Sequence, residues 1–246
     1  MQGQERVVVL TGGARRVGAT IARRLHERGL SLVLHYRSSG REAEQLKAEL
    51  ESVRADSVAL VQADLLHDDA PALLVERAIQ SFGRLDMLVN NASSFYETPL
   101  QSASPQDWTD LLGTNLRAPF FLSQQAAPHL LAARGAIVNI VDIHAERPLK
   151  AYPLYSIAKA GLAMLTKSLA LELAPHVRVN GIAPGAIMWP TTGFPREKQQ
   201  EVLACIPRGQ LGSAEDIAGA VAFLLLDSPY VTGQIWAVDG GRSVVL

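Results

Sequence analysis

Short apolar runs rich in β-branched residues recur along the chain, and between most of them the apolar positions return every three or four residues. The runs predict strands at 6–10, 31–35, 57–61, 85–89, 136–141, 177–181 and 234–238. Val17, Ile21 and Leu25 mark the apolar face of a helix that ends near Gly29, and further helical stretches fall near 41–54, 68–82, 105–133, 154–174 and 214–226. Strands joined through helices of this length need crossover connections, which pair them in parallel. The pattern therefore predicts an α/β fold, a single Rossmann-type doubly wound parallel sheet with helices on both faces, spanning 1–246 without repeat or linker.

Composition narrows the function classes. With 48% hydrophobic and 19% charged residues the chain can bury a sizeable core, so disorder is excluded. A net charge of −1 without a Lys/Arg block carries no footprint for nucleic acid or an anionic membrane surface. The polar start at 1–6 and the short apolar run after it resemble neither a signal peptide nor a membrane span, and the expected location is cytoplasmic. Cys205 is the only cysteine and the six histidines show no paired ligand spacing, so neither a disulfide framework nor a metal site is expected. Small-molecule chemistry is what this leaves.

The first strand runs into Thr11-Gly12-Gly13-Ala14-Arg15-Arg16-Val17-Gly18, a glycine-rich turn that opens the first helix. Such a turn lets backbone approach a dinucleotide pyrophosphate at the free N–H groups of a helix N-terminus. Arg16 adds a cation that faces phosphate, substrate or solvent; spacing does not choose. The second strand ends in His35-Tyr36-Arg37-Ser38-Ser39, and no acid lies between 31 and 41. An acid there would accept from an NAD ribose, whereas Arg with hydroxyls suits a 2′-phosphate, so the expected cofactor is NADPH. Tyr155 and Lys159, four apart, share one helix face. An ammonium beside a phenol favours phenolate, so Lys159 is expected to lower the Tyr155 pKa and make it a proton relay near neutrality.

Taken in order, Thr11-Gly12 to Gly18, Asp64, Asn90-Asn91-Ala92, Asn115, Tyr155/Lys159 and Pro184-Gly185 make the chain resemble the short-chain dehydrogenase/reductase family over essentially its whole length. The resemblance implies that Gly12, Arg16, Val17, Gly18, His35, Tyr36, Arg37, Ser38 and Ser39 bind the cofactor. It adds Asp64 and Leu65 by the adenine, Asn91 and Ala92, the pair Tyr155 and Lys159, and the turn Pro184-Gly185 beside the nicotinamide. Asn90 and Asn91 would support the central sheet, and Asn115 would hold a relay water near Lys159. A homotetramer is implied as well.

Two departures from the wider family matter. Its catalytic serine, thirteen residues before the tyrosine, is here Asp142, and the middle glycine of the first loop is Arg16. Both look like the pteridine reductase branch, as does Asn90-Asn91-Ala92-Ser93-Ser94-Phe95-Tyr96, where the resemblance implies that Ser93 and Phe95 contact a pterin. An ionised aspartate only accepts hydrogen bonds, so Asp142 suits a substrate edge bearing N–H donors, which an aminopterin supplies. Phe95 would cover one face of a flat heteroaromatic ring. The expected function is NADPH-dependent reduction of a dihydropterin, an oxidised pterin or dihydrofolate, with Asp142, Tyr155, Lys159 and Asn115 as the catalytic set and Arg16, Ser93, Phe95, Asp142 and Tyr155 on the substrate. Alternatives are a 3-oxoacyl-thioester or other carbonyl reductase of the same family, and a dinucleotide-sensing regulatory protein that has kept the fold. Residues 188–200 are expected to border the pocket.

Overall fold

A computed structural model of the chain describes residues 5–189, 193 and 195–245. The polar start at 1–4 and positions 190–192 and 194 of the pocket-bordering segment lie outside the described residues.

Val7, Val8, Val9 and Leu10 form the first strand, β1 (Val7–Leu10), and none exceeds 1% exposure. A run that is apolar at every position has both faces covered, the signature of a parallel sheet clad by helices. Alternate residues divide between two cores. Val8 and Leu10 pack in a cluster with Ile21, Leu25, Leu46 and Ile217, while Val7 and Val9 pack with Leu74, Leu122, Leu130 and Val179. The remaining strands are β2 (Ser31–Tyr36), β3 (Val58–Gln62), β4 (Met87–Asn90), β5 (Ala136–Ile140), β6 (Arg178–Pro184) and β7 (Ile235–Val238). All pair in parallel in the order β3-β2-β1-β4-β5-β6-β7. The helices are α1 (Arg16–Glu27), α2 (Gly40–Glu51), α3 (Ala70–Phe82), α4 (Pro105–Leu112), α5 (Ala118–Ala133), α6 (Pro153–Glu172), α7 (Arg196–Ala204), α8 (Ala214–Ala222) and the short α9 (Arg242–Val245). No helix among the described residues is long and apolar enough to cross a membrane.

Four elements differ from the sequence expectation. The single helix expected over 105–133 is α4 and α5 separated by a π-helical turn at Gly113–Arg117. Pro119 lacks the N–H an uninterrupted α-helix would use, and the wider turn absorbs that loss. A second π-helical turn, Phe223–Asp227, follows α8 within the expected 214–226 helix. α7 was not anticipated: none of its residues is buried, so it writes no apolar stripe into the sequence. β6 also runs on to Pro184, beyond the expected end at 181.

The sheet is pinned to α6 by a buried relay of polar side chains. Asn90 Nδ2 donates to Asn139 Oδ1 at 2.8 Å, Asn139 Nδ2 donates to Thr166 Oγ1 at 2.9 Å, and the Thr166 hydroxyl donates to the Leu162 carbonyl at 2.8 Å. Asn139 and Thr166 are wholly buried, so each group depends on its protein partner. Asn139→Ala leaves the Asn90 amide only its longer bond to the Ser123 hydroxyl at 3.4 Å, removes the donor to Thr166 and leaves a small void. Urea unfolding should show a loss of about 2–4 kcal/mol at unchanged m-value.

Candidate active site

Beyond Leu10 and Asn90 the chains leaving β1 and β4 part, and a cleft of about 480 Å3 opens at the C-terminal ends of the strands. In open parallel sheets this is where connections depart to opposite faces and ligands enter. The Thr11 hydroxyl oxygen accepts the backbone N–H of Asn91 and Ala92 at 2.9 and 3.0 Å, and Asn91 Nδ2 donates to the carbonyls of Thr11 and Gly12 at 2.9 and 3.0 Å. The two segments meet so closely that side chains are excluded. A Cβ on Gly18 would lie 2.0 Å from the Gly12 carbonyl oxygen, and Gly12 itself sits at φ +62°. The same closeness leaves room for a phosphate at the start of α1. Arg15 at its N-cap provides no side-chain cap and no acid stands in the first turn, so the leading N–H groups are available to an anion.

Arg16 adopts φ +51°, a left-handed conformation in which an L side chain costs roughly 1–2 kcal/mol. Its guanidinium donates to the Trp189 carbonyl at 3.2 Å, tying the turn to the segment after β6. On the other side the cleft is walled by His35, Tyr36, Arg37, Ser38 and Ser39 from the end of β2, and by Asp64 and Leu65 after β3. Asp64 Oδ1 accepts the Leu66 N–H at 3.0 Å. Val17, Gly18, Asn91, Ala92, Pro184 and Gly185 complete the set expected to hold a cofactor, and every one of these lines the cleft. Exposed Arg37 beside two hydroxyls, free helix N–H groups and a glycine cradle fit a phosphorylated dinucleotide.

At the far end Asp142, Tyr155 and Lys159 converge. Pro153 opens α6, and Tyr155 and Lys159 follow one turn apart, both buried against the end of β5. The Tyr155 hydroxyl donates to Asp142 Oδ2 at 2.7 Å, while Asp142 Oδ1 accepts the His144 N–H at 2.8 Å and caps the 3-10 turn Ile143–Ala145. Lys159 Nζ donates to the Ile140 carbonyl at 2.8 Å and lies 5.7 Å from the centroid of the Tyr155 ring.

This geometry reverses one expectation. Burial, together with the Asp142 charge and hydrogen bond, holds the Tyr155 pKa well above its usual 10, so Lys159 does not make a phenolate. Burial instead pushes the Lys159 ammonium down to about 8, against the pull of Asp142. Two other site candidates are not among the residues that line the cleft. Phe95 does not line the cleft; it is 52% exposed on the rim, stacked on Tyr152 at 4.7 Å and edge-on to Tyr155 at 4.8 Å. Asn115 lies behind the wall in the first π-helical turn, fully buried, with Nδ2 donating to the Ser94 and Leu111 carbonyls at 2.9 Å each. Ser93 does line the cleft. Met188 lines the cleft, as expected of the 188–200 segment, whereas sequence reasoning missed Arg15, Ser94, Thr114, Ile187 and Ile217 on its walls. Ile217 comes from α8, far along the chain, and its apolar helical period signals only core. Among the described residues no group of three or more His, Cys, Asp or Glu is gathered as a metal site.

The family model described as Enoyl-(Acyl carrier protein) reductase matches residues 12–243. Pteridine reductase 1 of Leishmania tarentolae is 36% identical, over 97% of this chain and 96% of the relative. A 3beta-hydroxysteroid dehydrogenase 1 of Eggerthella lenta is 35% identical, over 97% and 94%. A 3-oxoacyl-(acyl-carrier-protein) reductase of Staphylococcus aureus is 36% identical, over 95% and 96%. Three substrate chemistries at equal distance leave the choice of substrate to particular residues.

The buried Lys159 has a signature independent of any ligand. Its folded pKa, about 8, lies below the 10.5 of the free side chain, so between these values the unfolded chain holds a proton that the folded chain does not. Stability from this group therefore rises with pH through that window. Against Lys159→Met, in which the titration is absent, the unfolding free energy from urea titration should shift in favour of the unmodified protein by about 2–4 kcal/mol from pH 8 to 10.5. A difference that stays flat refutes the depressed pKa.

Proposed function

The chain belongs to the short-chain dehydrogenase/reductase family of nicotinamide-dependent oxidoreductases, and within it we propose an NADPH-dependent pteridine reductase acting on a dihydropterin, an oxidised pterin or dihydrofolate. The observation that carries this reading is the carboxylate of Asp142 lying 2.7 Å from the Tyr155 hydroxyl, inside the cleft.

NADPH, when bound, supplies the hydride. Arg37, Ser38 and Ser39 would hold its 2′-phosphate, and the start of α1 its pyrophosphate. The chain's own groups manage the proton and the orientation of the substrate. Asp142 accepts one hydrogen bond on each oxygen, from Tyr155 and from the His144 N–H, and a carboxylate has lone pairs for about two more. Those acceptors suit the N–H donors of an aminopterin edge and offer nothing to a ketone oxygen. Tyr155 keeps its proton at neutral pH and is therefore a general acid. Lys159 is still mostly an ammonium at pH 7 and offsets the Asp142 charge in a buried place. Phe95 and Tyr152, stacked on the rim beside Tyr155, offer a flat apolar shelf to a heteroaromatic ring.

For the cofactor, Arg37→Ala should lower kcat/KM for NADPH by roughly one to two orders of magnitude with little change for NADH, since it removes a charge-assisted phosphate contact. Equal use of both dinucleotides by the unmodified protein would rule out this reading.

For the substrate, steady-state kinetics with dihydrobiopterin, dihydrofolate and an acetoacetyl thioester decide between the pterin and carbonyl reductases. The unmodified protein should reduce a pterin and be slow on the thioester. Asp142→Ser should lower pterin kcat/KM by roughly tenfold or more, because buried N–H donors lose their anionic acceptor at about 1–3 kcal/mol per group. Efficient thioester reduction with every pterin ignored would transfer the assignment to the carbonyl reductases; no turnover of any substrate, with dinucleotide still bound, would favour a sensor.

A further inference from the structure

His35, at 2% exposure, is one of the most buried polar residues of the cleft wall, and it holds three segments at once. Its backbone carbonyl accepts the Gly13 N–H at 3.0 Å, its Nδ1 lies 3.2 Å from the Gly12 amide nitrogen, and its Nε2 lies 3.1 Å from the Ala63 carbonyl oxygen. The partners decide the protonation. An amide N–H can only donate, so Nδ1 must be the bare, accepting nitrogen; a carbonyl can only accept, so Nε2 must carry the hydrogen. Two consecutive amides of the glycine turn are thus fixed to β2 by one residue, while the ring's other edge is fixed to the end of β3. α1 begins three residues after Gly13, so this clamp sets where the free N–H groups of the helix stand.

We propose that His35, as the neutral Nε2–H tautomer, is a positioning residue for dinucleotide binding: it sets the glycine turn for the pyrophosphate, and its protonation loosens the turn. A cationic ring would point an N–H at the Gly12 N–H, leaving two donors face to face. The inference rests on the nicotinamide-dinucleotide reading of the cleft and concerns the half of the ligand that NAD and NADP share. The charges acting on the ring are Asp64, after β3, which favours the cation, and Arg37, just past β2, which opposes it; β1 and the glycine turn bring none to it. Burial outweighs both and holds the imidazole below its usual 6.5, in keeping with the neutral form that the hydrogen bonds require.

The test is calorimetric titration of NADP+ and NAD+ into the unmodified protein, His35→Leu, His35→Asn and Arg37→Ala between pH 8 and 5. His35→Leu should weaken both dinucleotides by the same factor, roughly ten- to hundredfold, whereas Arg37→Ala should weaken NADP+ alone. His35→Asn places a non-titrating amide oxygen where Nδ1 stands. It should bind within about threefold of the unmodified protein at pH 8 and bind relatively better as pH falls, for NAD+ as well as NADP+, so that titration of the 2′-phosphate is not the cause. Nitrogen-15 spectra of the unmodified protein at pH 8 should show a bare Nδ1 and a protonated Nε2, a readout that survives if His35→Leu does not fold. Loss of NADP+ binding alone in His35→Leu, a protonated Nδ1, or parallel pH courses for the unmodified protein and His35→Asn would each overturn the proposal. Failure of the cofactor reading looks different: the unmodified protein would then bind neither dinucleotide.

Discussion

The site depends on how closely the chains leaving β1 and β4 can approach. β1 sits between β2 and β4, and the connections from β1 and β4 go to opposite faces of the sheet, so a crevice at this point follows from topology alone. The side chains decide whether the crevice is a loose gap or a shaped one. Asn91 bridges it with two hydrogen bonds from one amide nitrogen, and Thr11 answers with two accepted on one hydroxyl oxygen. All four bonds exist only if Gly12 and Gly18 lack side chains, because a Cβ at 18 would overlap the Gly12 carbonyl. Glycine here is thus a steric requirement of the crossing, and the N–H groups at the start of α1 are left for a ligand as a consequence.

The fold was legible because burial on both faces turns strands into unbroken apolar runs, as at 7–10, while helices keep a stripe, as at Val17, Ile21 and Leu25. What escaped is where that link between burial and pattern fails. α7 buries nothing and writes no stripe. The two π-helical turns keep the apolar spacing of their neighbours and differ only in which carbonyl each N–H reaches, which a hydrophobic pattern does not record.

Much of the cleft's lining at the glycine turn and the end of β2 was legible for a related reason: the residues expected there bring backbone conformation and charge, which glycine, arginine and the absence of an acid announce. The end that holds Asp142, Tyr155 and Lys159 depends on depth and partner. The sequence places Tyr155 and Lys159 one turn apart but does not say that Lys159 pairs with the Ile140 carbonyl and Tyr155 with Asp142. Burial first, and for Tyr155 the Asp142 carboxylate after it, outweighs proximity to Lys159, and so the lowered tyrosine pKa expected from spacing gave way to a raised one.

That reversal bears on what a carboxylate does at position 142. A hydroxyl there would donate to a substrate oxygen and accept from Tyr155 with no net charge. Asp142 brings a negative charge into a half-buried place where Tyr155 and the His144 N–H already donate to it. In that arrangement the tyrosine proton is held by Asp142 and is not free for another acceptor. Each N–H that a substrate donates to the carboxylate draws on the same negative charge and weakens the hold on Tyr155. In the pteridine reductase reading proposed above, the substrate's donors would thereby release the proton that its reduction needs, whereas a ketone, with no donor to offer, would leave Tyr155 pointed at Asp142. Selectivity and proton delivery would then follow from one interaction.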